Sequence, residues 1–226
     1  MCGRYATDFN LDATEYLNTL FSYDTSLLLD NLPNYNVLPN SNIPILSRQQ
    51  LSYSKWGFMP EWATTKSNNK PMINARGESM RTKPYFRDAF KSSRVIVPMN
   101  GYYEWKDSKT KYAVPYYIQS ENSKVLTVAA LHTEYIDAHG KPIQSVAIVT
   151  KNAEPSISHI HQRMPLCLND EFLSLWLKPN SELSQLESLV TKPIETMFKA
   201  YSVSDKINSL KYHDSSLIES VQRTLF

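Results

Sequence analysis

A chain of 226 residues with 24 Lys and Arg against 22 Asp and Glu carries a formal net charge of only +2. That length suits a single domain with a full core, and the near balance of charge excludes the broad phosphate-neutralising face of a sequence-independent duplex binder while leaving room for a local basic groove. No apolar run approaches the roughly 20 residues that span a bilayer, and the first residues lack a secretory pattern, so a cytoplasmic protein with reduced thiols at Cys2 and Cys167 is expected.

The first helix is predicted from Asp12-Ala13-Thr14-Glu15, which has capping-box spacing and is followed by Tyr16, Leu17, Leu20 and Phe21 at helical intervals. From Asn34 to Pro60 short apolar runs are broken by Pro39, Pro44 and Gly57, a pattern of strands and turns. Glu61 to Pro71 is polar and reads as an exposed loop beside Trp62. Five β-rich stretches follow, at Arg94–Pro98, Tyr102–Lys106, Tyr112–Gln119, Lys124–Tyr135 and Ser145–Thr150. Asp107–Lys111 and Asp137–Pro142 are predicted hairpin loops between them. Helices are predicted at Asp170–Leu177 and Glu182–Val190, a strand at Phe198–Val203 and a closing helix at Ser215–Arg223. The fold class is α+β, one domain over 1–226, with a mostly antiparallel, curled or closed sheet flanked by helices.

Cys2 is the first residue with chemical promise. Removal of Met1 would leave a thiol and an α-amine on one residue. With a reference pKa of about 7.7–8.0 that amine is roughly 10% unprotonated at neutral pH, against about 0.04% for a lysine. Three further stretches place reactive side chains among strand residues: Ile73 to Glu78, Gly101 to Trp105, and His159 to Pro165. In extended chain Asn74 and Arg76 share a face, as do His161 and Arg163. Glu104 sits between Tyr103 and Trp105, where burial would raise its pKa into the range of proton transfer. His159 and His161 compete as the acid–base histidine, and spacing does not choose between them. Cys167, between Leu166 and Leu168, reads as a small buried hydrophobe. No cysteine–histidine cluster has zinc spacing, so neither a metal nor another cofactor is expected.

These stretches, with NYNVLPN, WGFMPEWA, AIVT and YSVSDKIN in the same order, resemble the SOS response-associated peptidase (SRAP) family, whose members crosslink to abasic sites in single-stranded DNA. The resemblance spans nearly the whole chain and implies a compact α+β domain around a distorted β-barrel with a basic DNA groove. It selects His161 over His159. It further implies catalytic roles for Cys2, Asn74, Glu104 and His161, and DNA contacts for Arg4, Pro39, Trp62, Arg76, Trp105, Thr150 and Arg163. The implied product is a thiazolidine formed by Cys2 with the sugar aldehyde, by a protein expected to act as a monomer.

Two other classes share the opening Cys-Gly. An N-terminal-nucleophile amidohydrolase would use the amine as base for the thiol, but it leaves Asn74-Ala75-Arg76 and His161-Gln162-Arg163 without a role. A thiol peptidase would pair Cys2 with His161. A module that only binds damaged DNA through its arginines and aromatics would not need Cys2.

Overall fold

The computed structural model describes residues 2–30, 33–63, 69–107, 113–193 and 196–222. In chain order it builds β1 (Tyr5–Thr7), α1 (Leu11–Leu20), β2 (Asn34–Val37), β3 (Asn42–Leu46), β4 (Leu51–Trp56), β5 (Asn74–Arg76), α2 (Arg87–Ser92), β6 (Arg94–Met99), β7 (Gly101–Lys106) and β8 (Val114–Ser120). There follow β9 (Leu126–Ile136), β10 (Pro142–Asn152), β11 (Arg163–Pro165), α3 (Asp170–Leu177), α4 (Leu183–Thr191) and β12 (Phe198–Ser202).

Strands β10, β4, β3, β6 and β9 pair in that order, and β9 returns to pair with β10, which closes a five-stranded barrel. The ring is uneven: β9 and β10 share seven paired positions, whereas β3 meets β6 at the single pair Leu46↔Ile96. A second sheet, in the order β12-β8-β7-β1-β2, is antiparallel throughout. The only parallel pairings among the described residues are those of β10 with β4 and with β5. The expected α+β class with a mostly antiparallel, closed sheet is what the chain forms.

Strand alternation divides most apolar residues of the barrel strands between two large cores. Leu46, Ile96, Ala129, Leu131, Ala147 and Val149 pack under the helices with Leu17, Phe90, Trp176 and Leu186. Their neighbours Ile45, Val95, Val97, Val128, Ala130, Val146 and Ile148 face a second core, shared with Tyr5, Tyr102 and Ile118 of the other sheet. That second core also contains Cys2. At Gly101 a Cβ would lie 2.5 Å from the Tyr117 ring, so the β7–β8 crossing requires glycine.

Local chemistry explains where the sequence expectations shift. Helix α1 starts two residues before the capping-box reading, because Asn10 accepts from Ala13 N at 3.0 Å while Asp12 pairs with Lys124. Helix α3 has the predicted bounds, capped by Asn169 on Phe172 N at 2.8 Å. The expected closing helix is instead a single 3₁₀ turn at Ser215–Ile218, with Asp214 accepting from Ser216 N. Its Asp-Ser-Ser start favours local side-chain bonds over helix continuation, and Val221 N then donates to Ser202 O beside β12. Residue 223, residues 108–111 of the predicted 107–111 loop and residues 64–68 of the predicted 61–71 loop lie outside the described residues. The short α2 has no capping side chain, and the sequence patterns do not reveal it.

Arg94, 9% exposed, ties the helices to the barrel. Its guanidinium donates to the carbonyls of Trp176, Phe90, Lys91 and Lys178 at 2.6–2.8 Å, so one side chain satisfies the C-terminal ends of both α2 and α3. Arg94→Ala would take that donor from the Trp176, Phe90 and Lys91 carbonyls and leave Lys178 O with Ser181 Oγ alone, and a loss of about 3 kcal/mol or more is expected. Urea unfolding measures it; a change below about 1 kcal/mol would show that water replaces the guanidinium freely.

Candidate active site

Strand β10 organises the site. Along its length it pairs with β9, with β4 at Val146↔Trp56, with β5 at Ile148↔Asn74, and with β11 at Asn152↔Arg163. Asn74 opens β5, and the residue before it is pinned twice: Trp56 Nε1 donates to Ile73 O at 2.9 Å and Ile148 N donates to the same carbonyl at 3.0 Å. From that anchored position Asn74 Nδ2 donates to the Cys2 carbonyl at 2.9 Å. Asn74 Oδ1 is buried without a hydrogen-bond partner among the described residues.

Cys2 lies just ahead of β1 and is fully buried. The segment is fixed on the other side by Tyr103 N, which donates to Arg4 O at 3.0 Å. Burial pushes the Cys2 thiol well above its usual pKa, and the charge of Glu104 pushes it further in the same direction. The second thiol, Cys167, is buried too, and desolvation raises it to about 12. It behaves as the packed hydrophobe its neighbours suggest.

Glu104 projects from β7 on the same face as Tyr102, into the core shared by the two sheets, and is 2% exposed. Desolvation raises its carboxyl pKa, and His161 opposes the rise. His161 Nε2 stands 3.9 Å from Glu104 Oε2, too long for a direct hydrogen bond. The other ring nitrogen, Nδ1, is 3.0 Å from Arg163 N and 3.2 Å from Arg163 O. His159 is exposed on the same segment, so the geometry favours His161 as the partner of Glu104.

The expected nucleotide contacts are less uniform. Arg76 is exposed at the end of β5. Arg4 is half-buried: Nη1 donates to Asn36 Oδ1 at 3.3 Å and to Ile207 O, and its guanidinium lies 5.7 Å from the centre of the Trp105 ring. Trp105 is itself held by a 2.9 Å bond from Nε1 to Asn208 Oδ1. Trp62 is 55% exposed and rests edge-on against Tyr85 at 5.9 Å, and Pro39 is half-buried before Asn40. Thr150 is fully buried, its hydroxyl accepting from Arg163 Nη2 at 3.2 Å. Arg163 is occupied by a bidentate pair with Glu78, a residue to which the sequence pattern assigns no role. The acid two residues beyond Arg76 was the available signal. Among the described residues no group of three or more His, Cys, Asp or Glu is placed to hold a metal, and no helix is long and apolar enough to cross a membrane.

Residues 1–210 match the family described as SOS response associated peptidase (SRAP). The chain belongs to the SRAP family. It is 34% identical over 226 residues to the abasic site processing protein YoqW of Bacillus subtilis, covering 97% of this chain and 100% of that one. To the abasic site processing protein YedK of Escherichia coli it is 27% identical, over 98% and 100% of the two chains. A crystal structure of a protein from Bacteroides thetaiotaomicron is similar in fold, with a TM-score of 0.78 at 24% identity over 84% of this chain and 86% of that one.

Within this SRAP domain, four chain segments bring together an anchored cysteine backbone, a buried carboxyl of raised pKa and an imidazole facing it. Such a set can keep the carboxyl protonated to higher pH than an ordinary glutamate and pass the proton over a short path. The raised pKa also has a stability consequence. The folded state keeps the Glu104 proton to higher pH than the unfolded chain, so this contribution favours the fold below the ordinary carboxylate range and is lost as pH rises through the raised value. Glu104→Gln removes that loss. Calorimetry from about pH 4 to about pH 8 should show the variant's Tm gaining on the wild type with rising pH; the opposite trend would mean that the ionised carboxylate is stabilised by its partners.

Proposed function

We propose that this protein senses abasic sites in single-stranded DNA and caps them as a covalent thiazolidine through Cys2, once Met1 has been removed. The observation that carries the reading is the convergence of Cys2, Asn74, Glu104 and His161 in one buried site, from segments as far apart as 72 residues for the Asn74–Cys2 bond. The names of its relatives, abasic site processing proteins, support the substrate.

The ring-opened sugar of an abasic site carries an aldehyde. The freed Cys2 amine attacks that carbon, and loss of water gives an imine. The thiol then adds across the C=N bond, forming the C–S bond while its proton goes to nitrogen. Because amine and thiol belong to one residue, ring closure is intramolecular and gains a large effective concentration. The raised thiol pKa supports this order: at neutral pH the thiol is protonated while a useful fraction of the amine is free. It also weighs against a general thiol peptidase, which needs a ready thiolate.

Asn74 orients Cys2 through its carbonyl. Glu104 exchanges protons as the sugar opens and water leaves, and His161 serves the sugar oxygen beside it. The same two residues could reverse the imine or cleave the strand, a lyase side activity, and self-processing at the Met1–Cys2 bond would expose the same cysteine. Arg76 and the Arg4–Trp105 platform flank the site as contacts for phosphate and base, with Pro39 and Trp62 further along the strand's path. Thr150 lies behind the surface and supports the wall. A fully buried Cys2 favours a single strand, whose sugar can turn inward without breaking base pairs.

Incubation with a single-stranded oligonucleotide carrying one abasic site should give an adduct that survives denaturing electrophoresis, and mass spectrometry should place it on Cys2 without Met1. Cys2→Ala should give none. Cys2→Ser should form an adduct that decays on heating, since an amine remains but the sulfur that closes the ring is gone. An undiminished adduct from Cys2→Ala would overturn the proposal.

A further inference from the structure

The terminal nitrogens of Arg163 are fully engaged. Glu78 Oε1 and Oε2 lie 2.6 and 2.9 Å from Nη1 and Nη2, Asn152 Oδ1 lies 2.7 Å from Nη1, and the Thr150 carbonyl and hydroxyl lie 2.9 and 3.2 Å from Nη2. The Arg163 side chain is only 14% exposed. It therefore cross-ties three pieces of the wall: β11, which carries it, the end of β10, and the turn after β5. Gly77 N donates to the same Thr150 carbonyl at 2.9 Å, so that turn is fixed to β10 beside the guanidinium. To grip a phosphate with its fork, Arg163 would first have to release Glu78.

The main chain of Arg163 has a second task. Its N–H and its carbonyl both face His161 Nδ1, at 3.0 and 3.2 Å. A neutral imidazole can accept from that N–H, and a protonated one can donate to that carbonyl, so one residue holds the ring in either charge state. In both states Nε2 stays turned to Glu104. The cradle is only as steady as Arg163, and the anion that fixes Arg163 is Glu78.

We propose that Glu78 is a positioning residue for the crosslinking chemistry: its carboxylate locks Arg163, and the Arg163 main chain keeps His161 aimed at Glu104 while the ring gains and loses its proton. This rests on the abasic-site reading above, with His161 as the residue through which Glu78 acts.

The test compares wild type, Glu78→Gln, Glu78→Asp, His161→Ala and the Glu78→Gln/His161→Ala double variant. Adduct formation is timed at saturating abasic single-stranded oligonucleotide across pH, and affinity for the intact oligonucleotide is read by fluorescence anisotropy. Glu78→Gln is expected to slow the reaction about tenfold, less than the about 100-fold or more of His161→Ala, and to displace the limb of the pH profile that His161→Ala abolishes. Affinity for intact DNA should stay within about twofold, and Glu78→Gln should add no more than about twofold on top of His161→Ala, because the two act as one unit. Glu78→Asp keeps the charge with a shorter reach and should fall between; it carries the test if Glu78→Gln does not fold, and a wild-type rate and profile from it would overturn the proposal.

Rates that multiply independently in the double variant would also overturn the role of Glu78. So would several-fold tighter binding of intact DNA by Glu78→Gln at an unchanged rate, which would make Glu78 a competitor of phosphate for Arg163. A wild-type protein that forms no adduct would remove the crosslinking reading itself, and with it this proposal.

Discussion

Removing a carboxyl group from water is the constraint around which the rest of the structure is arranged. Glu104 is nearly inaccessible, on a strand face whose neighbours are Tyr5, Tyr102 and Ile118, and the cysteine in the same core is fully buried. An ionised group in such a place loses hydration that a nearby imidazole restores only in part. Its raised pKa is the visible result. Closing five strands into a barrel and laying a second sheet against them gives the apolar surroundings that raise it. A carboxyl at the rim of an open sheet would ionise as an ordinary glutamate.

Strand β10 transmits this arrangement to the other groups. Its pairing with β5 sets Asn74 opposite Ile148, and its pairing with β11 sets Arg163 opposite Asn152, so the anchor of Cys2 and the holder of His161 share one rigid backbone. A slip of one residue in either pairing would turn Asn74, or Arg163, to the opposite face of its strand. The short strands are pinned against such slips by bonds from elsewhere: Trp56 and Ile148 fix Ile73, and Gly77 is tied to Thr150. Three-residue strands with little intrinsic preference can therefore carry side chains whose placement has little tolerance.

The legible parts of the fold were those with a local cause. Alternating β-branched and aromatic runs marked β6 to β10, and Asn169 ahead of an apolar helical stripe marked α3 to the residue. The closing helix failed because Asp214 accepts from the backbone N–H of Ser216, a local competition that apolar spacing does not report. The extended chain at β5 is legible, but its parallel pairing is not, since the partner lies 74 residues further along the chain at Ile148. The site was legible as residue types, and the family resemblance assembled them; geometry adds what residue types cannot carry. Glu78 and Arg163 read as one acid and one base in separate motifs, and only folding makes them a bidentate pair, with the guanidinium largely covered and the carboxylate open to solvent.

That pairing changes how the modest charge of the chain is to be understood. Several arginines already have partners within the protein: Arg94 is spent on helix carbonyls, Arg163 on Glu78 and Thr150, Arg81 on Glu187, and Arg4 in part on Asn36 and Ile207. What remains near the site for phosphate is chiefly Arg76 and the outer face of Arg4. Each phosphate contact contributes a salt-sensitive increment, so on the proposed function a site with so few of them would hold single-stranded DNA weakly and exchange quickly between positions along it. For a protein that samples many intact sugars before meeting one that has lost its base, weak reversible contact is an advantage, because tight binding to intact strand would sequester it. On the proposed chemistry the lasting hold comes from the C–N and C–S bonds made at Cys2, and selectivity follows from the aldehyde alone: an intact nucleotide passes the same arginines and offers the amine nothing to attack.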